Sequence, residues 1–485
     1  MAYQDLQDFM AALEKAGELK RIKAEVDPEL EITEIASRVM AQEQGPALLF
    51  EKVKGSEFPL LINALGTERR MAMALGAGSL DAKAKELEEL IAWLWTQVRD
   101  FRLLRTLPEA LPKLPMALSM IPRRVHKAQC QEVVDYHPSF DRLPVLKCWP
   151  RDGGRFITLP LVCTEDPETR RRNVGMYRMQ IYDSRTAGMH WHLHKDGAHF
   201  FAKYREWGER MPVAVALGCD PAISYASTAP LPEGFWEMIF AGFLRGKPAE
   251  LAKAVTSDLL VPADAEFVLE GYVDPLELRR EGPFGDHTGF YSLEDDYPVF
   301  HLECITRRKE PVYPATIVGI PPKEDCWMAK ATERLFLPLL KQLCPEIEDI
   351  NMPLEGVFHN CLIVSIHKRY PGQARKVMNF LWGMGQMMYT KLIIVVDAEV
   401  NAQKVSEVAW RAFNNIDGRR DIVFSDGPLD ALDHSSPLPR YGTRIGLDAT
   451  RKGPDEGHTR PWPDPLVMDQ AIVEQVNRRW SEYGL

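Results

Sequence analysis

The stretches NVGMYR at residues 173–178 and HWHLHKDG at residues 190–197 decide how the centre of the chain folds. Polar and apolar residues alternate strictly in the second stretch, which is the pattern of a strand with two unlike faces. Trp191 and Leu193 lie on its apolar side. Its other side carries three histidines, namely His190, His192 and His194. The sequence therefore predicts three imidazoles on one face of a strand.

The segment between these two stretches contains Asp183-Ser184-Arg185, which is typical of a turn. We expect the two stretches to pair as a hairpin across this turn, so that Asn173 and Arg178 share a face with the imidazoles. A face lined by amide, guanidinium and imidazole groups is poorly suited to a core. It is suited to bind an anion, a metal ion or both.

Length and composition exclude several classes of protein. The chain has 485 residues, of which 45% are hydrophobic, so two to four domains are expected. A net charge of −10 gives no indication of a nucleic-acid partner. The eight cysteines form no CxxC pair, which indicates reduced thiols. Neither a signal peptide nor a run of 18 apolar residues is present, so the sequence predicts a cytoplasmic enzyme.

The order of the predicted elements indicates an α/β multidomain fold. Residues 1–110 alternate short buried strands with amphipathic helices, which is typical of a small α/β domain. Residues 111–315 begin with a proline-rich linker and continue as short strands between turns, which favours a β-barrel or sandwich. Residues 316–485 contain near-continuous apolar strands between helices, which predicts a further α/β domain that ends in a helix.

Two further features carry carboxylates. Glu237 lies among apolar residues of a predicted helix, so it either has a metal or basic partner or lies at the edge of the apolar face. The loop EGPFGDHTGFY at residues 281–291 is rich in glycine and holds Glu281 and Asp286 close together. Paired carboxylates in a rigid loop are suited to acid–base catalysis, because burial or a like charge raises one pKa. The alternative is an ordinary glycine-rich turn with solvated acids.

Taken together, these motifs resemble the UbiD family of prenylated-FMN-dependent decarboxylases. The resemblance rests on NVGMYR, the histidine-bearing stretch, EMIFAG at residues 237–242 and EGPFGDHTG at residues 281–289, in that order. It covers essentially the whole chain. It implies that the central domain is a split β-barrel of the flavin-reductase type that binds prenylated FMN. A divalent metal ion, usually Mn²⁺, would bind the phosphate of this cofactor.

The resemblance also implies roles for individual residues. The metal ligands would be Asn173, His194 and Glu237. The catalytic trio would be Glu281, Arg178 and Asp286. The residues in contact with the cofactor would be Met176, Tyr177, Arg178, His190, Trp191, His192, Lys195 and Asp196, together with Lys391 from the next domain. A potassium ion would lie beside residues 226–229.

The activity implied by the resemblance is the non-oxidative decarboxylation of a prenylated hydroxy-aromatic carboxylic acid in quinone biosynthesis. Arg178 would bind the substrate carboxylate or Glu281. Prenylated FMN would serve as electron sink, and Asp286 would protonate the ring carbon. The stretches HWHLHKDG and GIPPKEDC, the latter at residues 319–326, are more similar to the branch associated with menaquinone than to the ubiquinone branch. The ring of the substrate, hydroxybenzoate or naphthoate, stays open.

The expected partners follow from this activity. A UbiX-type flavin prenyltransferase would supply the cofactor, and a lipophilic substrate favours peripheral contact with a membrane. The last predicted helix begins at Asp464-Pro465 and runs to about Trp480, and its apolar stripe favours a homo-oligomer. Two alternatives are a flavin- or metal-binding protein without decarboxylase activity and an oxygenase that binds metal through the three histidines.

Overall fold

The structure, a computed structural model, has a mixed α/β fold in which helices pack on four β-sheets. It describes residues 3–99, 114–191, 196–232 and 234–484. The helices are α1 (Leu6–Lys15), α2 (Glu31–Met40), α3 (Glu68–Ala74), α4 (Leu80–Arg99), α5 (Leu114–Ser119), α6 (Asp196–Trp207), α7 (Pro221–Ala226), α8 (Glu237–Arg245), α9 (Glu324–Leu343), α10 (Gln373–Trp382), α11 (Val405–Asn415) and α12 (Gln470–Arg478). The strands are β1 (Leu19–Val26), β2 (Ala47–Val53), β3 (Leu60–Ile62), β4 (Arg123–Arg124), β5 (Val133–Asp135), β6 (Phe156–Ile157), β7 (Leu161–Glu165), β8 (Arg172–Met176), β9 (Met179–Ile181), β10 (Thr186–Met189), β11 (Met211–Leu217), β12 (Glu250–Lys253), β13 (Leu260–Pro262), β14 (Phe267–Glu281), β15 (Asp295–Arg307), β16 (Tyr313–Ala315), β17 (Ile347–Asn351), β18 (Cys361–Ile366), β19 (Leu392–Asp397), β20 (Ile422–Pro428) and β21 (Tyr441–Asp448).

The N-terminal sheet has the strand order β1-β2-β3-β16. Its last strand comes from much later in the chain, because β16 pairs in parallel with β3. Helix α1 packs Phe9 and Leu13 into the core and is capped by Asp5, whose side chain accepts a hydrogen bond from the backbone N–H of Asp8. The segment after the central sheet therefore returns to complete the N-terminal sheet.

The central sheet positions most of the residues that the sequence singles out. Its strand order is β6-β9-β10-β15-β14-β11-β7-β8, with β5 paired to β15, and it is curled into a half-barrel. The two longest strands, β14 and β15, form an antiparallel hairpin whose register shifts between Val273 and Leu278. The loop 282–294 joins them and carries Asp286. A small sheet with the order β13-β12-β4 lies outside this half-barrel path.

The C-terminal sheet has the order β17-β18-β19-β21-β20, and its inner pairs β18–β19 and β19–β21 are parallel. The side chains of β18 and β19 are divided between two apolar clusters, so both faces of these strands are covered. Burial of each large aliphatic side chain here contributes roughly 1.5–3 kcal/mol. The continuous apolar runs predicted at residues 362–366 and 392–396 are thus confirmed as covered strands.

Two elements near the functional motifs differ from the prediction. The hairpin at residues 183–185 exists, but it joins β9 to β10 rather than the two longer stretches, and Asn173 lies on the separate strand β8. The predicted strand of alternating histidines is wrong at its start, because β10 ends at Met189 and His190 and Trp191 follow it outside any strand. Residues 192–195 lie outside the described part of the chain.

The end of the chain also differs from its prediction. Helix α12 begins at Gln470 rather than at residue 465, and the residues before it are extended. None of its residues is buried, and Ile472 is 43% exposed. Leu466 and Trp480 on either side of it are exposed as well. Within the described ranges, no helix is both long and apolar enough to cross a membrane.

We expect this exposed apolar segment to be covered by a second copy of the chain. Deletion of residues 464–485 should lower the mass measured by light scattering at micromolar concentration, because the apolar contact area is lost. The substitution Ile472→Glu should weaken the association in the same direction, whereas Glu474→Gln on the exposed face is the control. A full-length chain that is already monomeric would contradict the prediction.

Candidate active site

Arg178 forms the centre of a buried group of charges. It lies between β8 and β9, and its guanidinium donates a hydrogen bond of 3.1 Å from Nε to Glu281 Oε1. Its Nη1 donates to Asp286 Oδ2, so one cation bridges both carboxylates. The guanidinium also lies 4.5 Å from the centre of the Phe284 ring. A bidentate cation of this kind is suited to bind a carboxylate.

The two acids come from one loop, whose shape depends on glycine. Glu281 is the last residue of β14, and Gly282 follows it with φ of 101°. Gly289 also has a positive φ, of 80°, and it lies against Ile320, which leaves little room for a Cβ. These two residues let the loop turn back on itself. Asp286 therefore lies beside Glu281 and Arg178 rather than at the loop's outer surface.

A cavity of about 230 Å³ lies next to this group. The residues that line it are Thr158, Met176, Tyr177, Arg178, His190, Phe284, Asp286, His287, Thr316, Val318, Asp430 and Leu432. The lining combines apolar side chains with a few polar groups that point to one place, which is typical of a small-molecule site. The cavity is therefore a candidate small-molecule site with Arg178 on its wall.

Arg178 and the neighbouring histidines lower the pKa of both acids. Burial alone would raise the pKa of Glu281, but a hydrogen bond from His190 and the Arg178 charge hold this pKa below its usual value. Burial likewise opposes ionisation of Asp286, yet Arg178 and His287 hold its pKa well below the usual range. Both acids are therefore ionised at neutral pH. The expectation that one acid of the pair has a raised pKa is wrong for this arrangement, because the pKa of each acid is lowered.

Histidines flank each acid. His190 pairs through Nδ1 with Glu281, and burial lowers the pKa of this histidine. His287 Nδ1 lies 2.8 Å from Asp286 Oδ1. Burial lowers the pKa of His287 too, but the adjacent Asp286 carboxylate outweighs it, so the net pKa is raised. Each carboxylate is thus held by Arg178 on one side and an imidazole on the other.

Two of the three predicted metal ligands lie together. Glu237 is the first residue of α8, and its carboxylate accepts hydrogen bonds of 2.8 Å from Asn173 Nδ2 and 2.9 Å from the Val174 backbone N–H. Among the described residues, Asn173 Oδ1 is buried without a hydrogen-bond partner, so an acceptor oxygen is left over at this point. Amide and carboxylate oxygens are suited to Mn²⁺. These residues fit a metal ion, and the third predicted ligand, His194, lies outside the described residues.

The other predicted contacts fall into three groups. Met176, Tyr177 and His190 line the cavity. Trp191 packs into the apolar core instead, and Lys391 Nζ forms an ion pair of 2.9 Å with Asp433. Three predicted residues and one side chain lie outside the described part of the chain, namely His192, His194, Lys195 and the side chain of Asp196.

The segment predicted to lie beside a potassium ion adjoins the cavity. The carbonyl of Ser227 accepts a hydrogen bond of 3.3 Å from the backbone N–H of Met176. The hydroxyl groups of Ser227 and Thr228 donate to carbonyl groups of the preceding turn. The segment is thus held against β8, which carries Asn173.

Several residues that line the cavity or contact Arg178 were not predicted from the sequence. Ser292 accepts a hydrogen bond of 3.4 Å from Arg178 Nη2, and Phe284 contacts the guanidinium. Both belong to the glycine-rich loop, so the motif itself was the available signal. Asp430 and Leu432 come from a stretch with little regular structure. No periodicity marks this stretch, so only the folded chain shows that it reaches the cavity.

Comparisons with known protein domains agree with this architecture. Residues 10–92, 123–321 and 326–449 match the N-terminal, Rift-related and C-terminal domains of 3-octaprenyl-4-hydroxybenzoate carboxy-lyase. These matches define the class of the protein as a carboxy-lyase. An uncharacterised protein of Archaeoglobus fulgidus is 50% identical over 484 residues, which is 99% of each chain.

Solved structures lead to the same class. The vanillic acid decarboxylase of Sedimentibacter hydroxybenzoicus, in closed form, is 27% identical with a TM-score of 0.85 and covers 100% of this chain and 99% of its own. The UbiD-class enzyme HmfF of Pelotomaculum thermopropionicum in complex with FMN is 27% identical with a TM-score of 0.79, over 95% of this chain and 98% of its own. An evolved dimeric form of HmfF was solved in complex with prFMN, with 25% identity, a TM-score of 0.77 and coverage of 97% and 98%. The chain belongs to the UbiD family.

Substitution of Glu237 tests its place in the metal site. We expect Glu237→Gln to lower the amounts of manganese and flavin retained per chain, because one anionic ligand of the metal is lost. The measurement is metal and flavin content after purification with the cofactor-supplying enzyme. Glu270→Gln is the matched control, because Glu270 also accepts backbone N–H groups but lies on β14, three strands away from β8, which carries Asn173. Unchanged manganese and flavin content in Glu237→Gln would show that Glu237 is not a metal ligand.

The lowered pKa of Glu281 predicts a pH-dependent contribution to stability. Because the folded pKa lies below the unfolded value of about 4.3, the stabilisation is present above that value and is lost as the pH falls through the folded pKa. Glu281→Gln should thus lower the unfolding free energy by about 1.5–3 kcal/mol at pH 7 and by less below about pH 4. Urea unfolding at several pH values measures this. Glu303→Gln, on the exposed face of β15, is the control, and a pH-independent difference for Glu281→Gln would contradict the assignment.

Proposed function

We propose that the protein decarboxylates a prenylated hydroxy-aromatic carboxylic acid in quinone biosynthesis, with prenylated FMN as cofactor. The observation that carries the proposal is the Arg178 guanidinium, which bridges Glu281 and Asp286 at the wall of the cavity. The carboxy-lyase family and the FMN and prFMN complexes of HmfF support the reaction class and the cofactor. The oxygenase alternative has no comparable support, because His190 is engaged with Glu281.

Substrate binding would change the charge balance around Arg178. The substrate carboxylate is an anion that the guanidinium can bind in bidentate fashion. Its negative charge would offset the charge of Arg178, which is the main attraction that keeps Asp286 ionised. The pKa of Asp286 would then rise, and this residue could take up a proton. We infer that the bound substrate, rather than burial alone, raises the pKa of Asp286, so that this residue carries a proton that it can donate.

The two acids would then have different roles. Glu281 keeps two partners, Arg178 and His190, and would stay ionised to hold the guanidinium in place. Asp286 would deliver its proton to the ring carbon after carbon dioxide has left. His287, bonded to the other oxygen of Asp286, would fix the orientation of that carboxyl group.

The cofactor would lie between the proposed metal ligands and the cavity. Asn173, Glu237 and His194 would hold a Mn²⁺ ion that binds the phosphate group. Met176, Tyr177 and His190 would contact the ring system, and K⁺ would lie beside residues 226–229. When bound, prenylated FMN would accept the electron pair released by carbon dioxide loss. A UbiX-type flavin prenyltransferase would supply it, and the half-barrel would correspond to the split barrel of flavin-reductase-type proteins.

The surroundings of the cavity support a hydroxylated ring with a lipophilic tail. Thr158, Thr316 and Asp430 place polar groups on its wall, where a ring hydroxyl could be bound. Exposed apolar side chains follow outside it, since Phe290 is 58% and Ile320 72% exposed beside the glycine-rich loop. A prenyl tail would lie on these residues, and its origin in a bilayer would favour peripheral membrane contact. The motif differences favour a naphthoate of menaquinone synthesis over the hydroxybenzoate of ubiquinone synthesis.

Asp286→Asn tests the role of this residue as proton donor. The variant keeps the shape of the side chain but cannot donate, so we expect normal metal and flavin content and a turnover at least about 100-fold slower. It should also fail to exchange product ring hydrogen with solvent deuterium, as followed by mass spectrometry. Glu281→Gln is the informative comparison.

The exposed Asp295, on the same hairpin, provides the matched control for charge removal, and Asp295→Asn should leave turnover unchanged. Near-normal turnover in Asp286→Asn combined with loss of exchange in Glu281→Gln would reverse the roles of the two acids.

A further inference from the structure

A second group of potential metal ligands lies at the cavity wall, apart from Asn173 and Glu237. One ligand atom each from His287, His359 and Asp430 lie within 4.8 Å of one another. His359 Nε2 and Asp430 Oδ1 are 3.9 Å apart. Ligands bound to one Zn²⁺ at about 2.0–2.2 Å in tetrahedral geometry are about 3.3–3.6 Å apart, so side-chain rotations that move these atoms about 1 Å closer together would complete the site.

The hydrogen bonding of the two histidines leaves ligand atoms available. His287 Nδ1 is engaged with Asp286 Oδ1 at 2.8 Å, which leaves Nε2 for another partner. In the part of the chain that the structure describes, Nε2 of His287 and Nε2 of His359 are both buried and have no hydrogen-bond partner. Buried polar atoms of this kind are uncommon, since folding normally satisfies them. Both lie in the same cluster with Asp430, so one bound cation would satisfy them together.

The carboxylate on His287 is itself a feature of metal sites. A metal-ligating histidine usually donates its second ring N–H to a carboxylate, which fixes the tautomer and orients the ring. Asp286 is placed to accept in this way from His287. Negative charge also surrounds the cluster, because Asp286, Asp325 and Asp430 all act electrostatically on His287. Such surroundings favour a bound cation.

Backbone strain holds His359 in the cluster. The two residues before it, Val357 and Phe358, have φ of 40° and 53°, a left-handed conformation that is unfavourable for a β-branched residue and for a bulky one. The Phe358 ring stacks on His287 with the ring centres 4.6 Å apart. Strain of this kind persists where the surrounding structure imposes it and is concentrated at functional sites. Here it occurs directly before His359, whose ring centre is 5.0 Å from that of His287.

We propose that His287, His359 and Asp430 bind a divalent transition-metal ion, with Zn²⁺ the best match. Two imidazole nitrogens and one carboxylate oxygen form a three-ligand set that leaves a coordination position open. Because His287 and Asp430 also line the cavity, the ion would lie at its wall. An oxygen substituent of a hydroxy-aromatic substrate could fill the open position, and this consequence alone rests on the proposed function.

Metal titration of the full-length chain without cofactor tests the proposal. After removal of metals with a chelator, Zn²⁺ binding is measured by calorimetry and Co²⁺ binding by its visible absorption. We expect His359→Ala and Asp430→Asn each to bind one ion fewer per chain than the wild type. His434→Ala is the matched control, because His434 lies on the same segment as Asp430 but outside the cluster. Unchanged stoichiometry in both cluster variants would overturn the proposal.

Two further measurements distinguish this cluster from the metal site predicted at Glu237 and from the proposed reaction. Glu237→Gln should lose a different ion and keep the one assigned to the cluster, so the two sites are counted independently. X-ray absorption of Glu237→Gln loaded with one equivalent of Zn²⁺ should show two imidazole ligands. A shell of oxygen ligands alone would overturn the proposal, and this test needs no substitution in the cluster. Since neither readout uses decarboxylation, a failure of the proposed reaction would leave the result intact.

Discussion

The pairing of Arg178 with Glu281 and Asp286 is the interaction on which the site depends. The guanidinium is 12% exposed and the two carboxylates are almost fully buried, so each charge relies on the others to offset its desolvation. Removal of one partner is destabilising, because a buried charge then loses part of its compensation. The pairing also joins the connection between β8 and β9 to the glycine-rich loop. The same contacts therefore keep the two acids ionised and hold the glycine-rich loop in place.

The cavity exists because distant parts of the chain meet at this pairing. The central half-barrel supplies Arg178 and the loop with Asp286, and the C-terminal part supplies Asp430 and Leu432. Lys391 fixes the adjoining segment through its ion pair with Asp433, so its influence on the cavity in this structure is indirect. The ring contact of Phe290 with His434 adds a second link. A shift of the C-terminal segment would therefore change the cavity without any change in the half-barrel.

Regular elements were predictable from the sequence, whereas the geometry of the site was predictable only in part. The buried face of α1 follows from the helical spacing of its apolar residues, and the strands β18 and β19 follow from their continuous apolar runs. The alternation was misleading at His190 and Trp191, since β10 ends at Met189 and His190 is bonded to Glu281. The glycine-rich motif marked Glu281 and Asp286. Nothing in the sequence marked His359 or Asp430, because their meeting depends on strain and on loops without periodicity.

His287 links the two clusters of the cavity wall. Its Nδ1 faces Asp286, whose other oxygen is bound by Arg178, while its Nε2 faces His359 and Asp430. A cation on Nε2 would make Nδ1–H a stronger donor and would stabilise the ionised form of Asp286. A substrate carboxylate on Arg178 acts in the opposite direction, because it weakens the attraction that keeps Asp286 ionised. The pKa of Asp286 would thus be set by two opposing charges, namely the cation behind His287 at Oδ1 and the substrate carboxylate behind Arg178 at Oδ2. Asp286 would be protonated only when substrate is bound.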